Sequence, residues 1–191
     1  MSQTGGVMDD GEARARLLDA ADALFYTYGV QAVGMDRIRA ESRVPLKRLY
    51  RLFPAKEALV AAYLDRHDQR WTAGLRRHVE AAPAQPRERV LAVFDWLAEW
   101  FAEPAFRGCA FLNALGELGE TPAAVNDVAR RHRAELLRIL TGLATAEGSP
   151  ALGDQLMILV EGATAVAALD RGPAPAHRAR SMAETLLDAG H

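Results

Sequence analysis

Apolar residues recur along most of this chain at every third or fourth position, the spacing that lines one face of an α-helix. The first such run, Glu12 to Tyr28, places Leu17, Ala20, Ala21, Leu24, Phe25 and Tyr28 on one face and stops at Gly29. Two short helices are predicted next, Met35 to Ser42 and Leu46 to Leu52, around the turn Arg43-Val44-Pro45. Proline disfavours the helical region for the residue before it and suits the first turn of the helix it opens. Pro54 closes the second short helix, and a long one follows from about Lys56 to Ala81, before the break at Pro83 to Pro86. Further helices are predicted over Arg87–Ala102, from the segment Arg107–Ala114 onward, and over Pro122–Ala146, Pro150–Asp170 and Pro175–Ala189. The expectation is an all-α chain of about nine helices.

The strength of the pattern varies, and the variation ranks the helices by burial. In Arg87–Ala102, Val90, Val93, Phe94, Leu97 and Phe101 form one side, Trp96 and Trp100 adjoin it, and only Glu88, Asp95 and Glu99 mark a wet edge. A helix so apolar belongs in the middle of a bundle. Pro122–Ala146 has Val125, Val128, Ala129, Leu136, Ile139, Leu140 and Leu143 on one face. Pro150–Asp170 is apolar nearly all round, and its Gly162, Ala163, Ala165, Ala167 and Ala168 leave room for another helix to approach closely. Paired with the last helix in each of two chains, it would make a four-helix dimer interface. The expected contributors are Leu156, Leu159, Val160, Ala163, Val166 and Ala167, with Met182, Leu186 and Leu187 from the last helix.

Charge changes the picture at one place. The chain carries a net charge of −2 with a pI near 6.2. Between Asp36 and Lys56, however, seven basic residues stand against two acidic ones, a local excess of five. On the second short helix Leu46, Leu49 and Phe53 fall on one side, while Lys47, Arg48 and Arg51 fall within an opposite arc of about 100°. A short helix seated by apolar side chains and presenting cations outward suits entry into a DNA major groove, and clustered cations are what phosphate neutralisation requires.

Those residues also carry a resemblance. The segment from Leu17 to Leu64 resembles the N-terminal domain of the TetR family of bacterial transcriptional regulators through Leu24-Phe25, Gly29, Ile38, Val44, Leu49-Tyr50, Phe53 and Lys56-Glu57, in that order and spacing. The resemblance implies a homodimeric, all-helical regulator with an N-terminal three-helix helix-turn-helix domain and a C-terminal helical bundle. That bundle would sense a small molecule and change DNA affinity. The expected division is a disordered arm over 1–11, the helix-turn-helix domain over 12–55, and a ligand-binding and dimerisation domain over 56–191. Departures from the family pattern are Arg43 for a glycine in the turn, Gly34 for Thr or Ser, Lys47-Arg48 for Gly-Thr, and Ala55 for a Ser cap. A non-glycine residue at Arg43 is strained if that position is left-handed.

The expected function is that of a ligand-responsive repressor released from a palindromic operator. Lys47, Arg48 and Arg51 would face the groove, with Tyr50, Lys56 and Arg37 positioned on phosphates. The effector would be a mostly apolar small molecule. Candidate lining residues are Tyr63, His67, Trp71, Trp96 and Trp100, with Phe111, Asn113, Glu117, His132 and Glu161. For several of these a structural role competes: the tryptophans and His132 can be plain core, and Glu161 either pairs with an arginine or faces a polar ligand. A thiol sensor built on Cys109 is an alternative within the same fold. Enzymatic chemistry is not expected, because His67, His78, His132, His177 and His191 show no metal-ligand spacing and no HExxH, CxxC or Gly-rich phosphate loop occurs. Neither a cofactor nor a metal is expected. The single cysteine, the lack of a basic-then-apolar leader and the lack of an uninterrupted apolar run of ~18 residues lead us to expect a cytoplasmic protein without a membrane partner.

Overall fold

The computed structural model describes residues 8–189. Among them are nine helices and no strand: α1 (Asp10–Tyr28), α2 (Met35–Ser42), α3 (Leu46–Leu52), α4 (Lys56–Ala81), α5 (Pro86–Ala102), α6 (Ala110–Leu118), α7 (Ala123–Ala146), α8 (Leu152–Asp170) and α9 (Ala174–Ala189). The expected arm over 1–11 lies outside the described residues up to position 7, and its last two residues are helical. α1 starts early because Asp9 caps it, its carboxylate accepting the Glu12 N–H at 2.7 Å. At the other end Gly29 stops the helix with φ +88°, its N–H donating to the Phe25 carbonyl.

The chain forms two compact units, and their boundaries do not coincide with a division at 55/56. One unit runs to His67 and takes in Phe111–Val128, and the other comprises Asp68–Ala110 and Ala129–His191. Of the three boundaries, two fall inside helices α4 and α7 and the third falls after the first residue of α6.

In the first unit α1 packs on α2 and α3, which also touch each other. Leu17, Ala21, Phe25, Ile38, Val44, Leu49, Phe53, Leu59 and Tyr63 are buried there. α6 brings a long-range contact to this unit: Glu117 accepts the Gln31 N–H at 2.9 Å. The positive φ of Gly29 favours glycine there, and a Cβ would lie 2.7 Å from Glu117 Oε2, so the Glu117 carboxylate would have to shift to accommodate it.

In the second unit α5 packs on α8 and α9, and α8 on α9. The core there includes Leu75, Val90, Val93, Phe94, Leu97, Phe101, Leu140, Leu156, Val160, Ala167 and Leu187. α7 and α8 approach closely at Gly153, where a Cβ would lie 2.9 Å from the Thr141 Cα. The close approach expected at Gly162 does not occur within the chain, where a Cβ would find no atom within 4 Å.

The expected dimer residues divide in the same way. Leu156, Val160, Ala163, Ala167 and Leu187 are buried in their own chain, and Leu159 and Leu186 are partly buried against the same core. Only Val166 and Met182 of the expected set are exposed. Ile158 and Leu169 of α8, outside the expected set, are exposed as well. With apolar residues nearly all round α8, periodicity could not choose the inward side. α8 is also long and apolar enough to cross a membrane by composition, but its inner face is occupied by α5 and α9.

Candidate nucleic-acid interface and effector clusters

The turn between α2 and α3 is built locally. Arg43 ends α2 with φ 55° and ψ 24°, the left-handed conformation that usually takes glycine. A non-glycine residue there costs about 1 kcal/mol. Buried Ser42 offsets part of that cost: its hydroxyl donates to the Arg39 carbonyl and accepts the Val44 N–H, both at 3.3 Å. Gly34 opens α2 without a side-chain cap.

α3 is seated by Leu49 and, just past its end, Phe53, both buried, with Val44 from the turn beneath them. Leu46 does not belong to the seat as expected. At 44% exposure it lies outside, because the seven-residue helix buries only its middle and its end. Lys47, Tyr50 and Arg51 are exposed and Arg48 half-buried, so the structure brings the expected cations onto the outer side of α3. Arg43, Pro45, Lys47, Arg48 and Arg51 line one open groove of about 770 Å³, together with Met8. Of the flanking residues, Arg37 stacks over the exposed Tyr28 ring at 4.0 Å, and Lys56 Nζ donates to the Gln31 carbonyl at 3.4 Å. Both are therefore held at the edge of the unit, Lys56 through the loop that Glu117 also anchors.

The candidate effector residues fall into two aromatic groups. In the first unit His67 sits among Tyr26, Tyr63 and Phe111 at ring separations of 5.7, 6.0 and 6.1 Å, with its Nδ1 3.8 Å from Asp22 Oδ1. Glu117 is engaged with the loop after α1, and Asn113 is exposed on α6. In the second unit Trp71 meets Trp96 edge-on at 4.7 Å, Trp100 at 5.7 Å and His132 at 5.3 Å, and Trp96 stacks on Trp100 at 5.7 Å. A Cβ at Gly74 would make only ordinary contact with Trp96, at 3.5 Å, so this packing does not depend on the glycine.

His132 Nδ1 lies 2.7 Å from Asp68 Oδ1, so the histidine is satisfied by a carboxylate. Burial pushes the Asp68 carboxyl up, but the hydrogen bond and charge of His132 and the Thr72 hydroxyl outweigh it and leave it below its ordinary value. Of the two alternatives for Glu161, the structure shows an arginine partner. Its side chain is 41% exposed and lies 3.4 Å from Arg133 Nε. The Asp68 and Asp22 partners of the two histidines were missed, because they lie 64 and 45 positions away and share no local pattern. Cys109 is half-buried just before α6. Among the described residues no group of three or more His, Cys, Asp or Glu is placed to hold a metal ion.

Comparison with known proteins places this geometry. Residues 17–63 match the family model described as "Bacterial regulatory proteins, tetR family", and residues 86–183 match "Tetracyclin repressor-like, C-terminal domain". An uncharacterised HTH-type transcriptional regulator of Mycobacterium tuberculosis, Rv1255c, is 30% identical over 171 residues, covering 76% of this chain and 81% of that protein. The HTH-type transcriptional activator FasR of Mycolicibacterium smegmatis is 31% identical over 99 residues, 50% of this chain and 45% of FasR. Among solved structures, SCO4454, a TetR-family transcriptional regulator from Streptomyces coelicolor, superposes with a TM-score of 0.85 at 34% identity, covering 94% of this chain and 96% of that one.

Proposed function

The chain belongs to the TetR family of bacterial DNA-binding transcriptional regulators, and from that premise we propose that it is a repressor released from a palindromic operator by a small apolar effector. The observation that carries the DNA half is the outer side of α3, where Lys47, Arg48 and Arg51 stand over a buried seat of Leu49 and Phe53. Arginine and lysine reach guanine O6 and N7 in the major groove, while Tyr50, Lys56 and Arg37 take phosphates.

Family members typically act as dimers, and two recognition helices then read half-sites about 34 Å or a multiple apart. The open apolar face of Ile158, Val166, Leu169 and Met182 supports α8 and α9 as the place where the second copy docks. The effector reading is supported by the two aromatic groups, each holding one histidine–carboxylate couple that would give an apolar ligand a polar handle. The protein acts in the cytoplasm, where its operator is.

Replacing Arg48 by Ala is expected to lower operator affinity by about tenfold and to relax sequence preference, read in a mobility-shift assay at fixed salt. Unchanged binding and preference would remove α3 from the interface. Native mass spectrometry of the purified protein tests the rest, with a dimer mass and a co-purified small molecule as the expected result.

A further inference from the structure

Two of the three groove-facing cations are already engaged within the chain. Asp10, the first residue of α1, forms an ion pair with Arg51 and lies 3.7 Å from Arg48 Nε. Arg48 also donates to the Met8 carbonyl oxygen. Some forty positions separate these partners, and they meet because α1 packs on α3. The result differs for the two arginines: the Arg48 side chain is drawn in to 22% exposure, while Arg51 stays at the rim with 58%.

A carboxylate in this position is out of keeping with a surface that must meet phosphate. It accepts from the same guanidinium donors that phosphate oxygens and guanine edges would use, so acid and DNA compete for them. Sequence-independent binding is almost wholly electrostatic, and each phosphate neutralised adds about 0.9 to the slope of log affinity against log salt. Holding one or two cations in internal pairs subtracts from that term for every DNA sequence alike. A site that offers well-placed acceptors to both guanidiniums regains what the carboxylate withholds, and a random site does not.

We propose that Asp10 is a specificity-determining residue, a counter-charge that occupies Arg48 and Arg51 in the free protein and is displaced only by DNA able to satisfy both. The proposal rests on α3 being the DNA-facing helix. The pairs are partly exposed and therefore weak, so the expected effect is several-fold and not orders of magnitude.

The test is binding of the full chain to a random-sequence duplex of about 30 base pairs, by fluorescence anisotropy between about 50 and 200 mM salt. Asp10→Asn is expected to bind about three- to tenfold tighter than wild type, with a salt slope steeper by about one. Glu12→Gln removes the same charge from the same helix end, where Glu12 pairs with Arg16 at 2.6 Å and not with α3, and is expected to change both much less. Asp10→Ser, which leaves the Asp9 cap of α1 in place, repeats the measurement should the asparagine variant fold poorly. A neutral Asp10 variant that matches Glu12→Gln, or that binds more weakly than wild type, overturns the proposal. Lys47→Ala separates the two readings, since it is expected to weaken binding and lower the slope by about one. If it does neither, α3 does not face DNA and the proposal falls with it. If it weakens binding while the Asp10 variants do nothing, only the proposal fails.

Discussion

α3 and α8 each bury one side and leave the other open, and what they leave open is opposite in chemistry. α3 shows Lys47, Arg51 and Tyr50 over a seat of two side chains, whereas α8 shows Ile158, Val166 and Leu169 over a core shared with α5 and α9. The contrast separates two kinds of partner. Exposed cations keep their hydration until a polyanion replaces it, so they mark a reversible, salt-sensitive surface. Exposed aliphatic side chains gain from burial whatever the salt, which is what the proposed docking of a second copy requires.

The largest test of that contrast is a pair of substitutions on α8. Leu156, fully buried, is expected to cost about 2–5 kcal/mol when changed to Ala, measured by denaturant unfolding, because a cavity is left in the core. Leu169, 84% exposed, should cost the subunit almost nothing. Changing Leu169 to Glu is instead expected to raise the dimer dissociation constant by at least about tenfold in sedimentation equilibrium. A variant that stays dimeric would place the partner chain elsewhere.

A smaller effect comes from Glu135, where the Arg138 hydrogen bonds and the Arg76 pair hold the carboxyl down to about 2. A depressed carboxyl stabilises the fold fully above its unfolded value near 4.5, and that contribution is lost as pH falls toward 2. Glu135→Gln is therefore expected to be less stable than wild type at neutral pH by about 1 kcal/mol or less, the pair being partly exposed. The difference should close in acid unfolding curves as pH approaches 2.

The smallest effect is at the turn. Arg43→Gly relieves the left-handed strain but frees the unfolded chain, so stability is expected to rise by no more than about 0.5 kcal/mol. DNA affinity is expected to fall in the same variant, since Arg43 lines the cationic groove. A gain in both would mean that Arg43 has no part in binding.

Much of this was legible from residue order alone. Apart from α6, which opens at Ala110 and not at Arg107, helix boundaries came within about two residues, because Gly29, Pro45, Pro54 and the Pro83–Pro86 break are local stops with local causes. The cations of α3 were legible for the same reason, as 100° per residue suffices to place three side chains on one arc. Leu46 was misread because periodicity assigns a side, not a depth, and a helix of seven residues has little depth to offer.

What the sequence by itself determined is the set of nine helices, the charge of α3 and the family to which the chain belongs, since each depends on neighbours a few positions apart. Only the tertiary structure decided which side of α8 turns inward, that Glu117 holds the loop after α1, that His132 is satisfied by Asp68, and that Asp10 reaches Arg48 and Arg51. These contacts join residues 38 to 86 positions apart. A hydrogen bond or ion pair across that distance leaves no periodic trace, because either partner alone reads as an ordinary solvated charge.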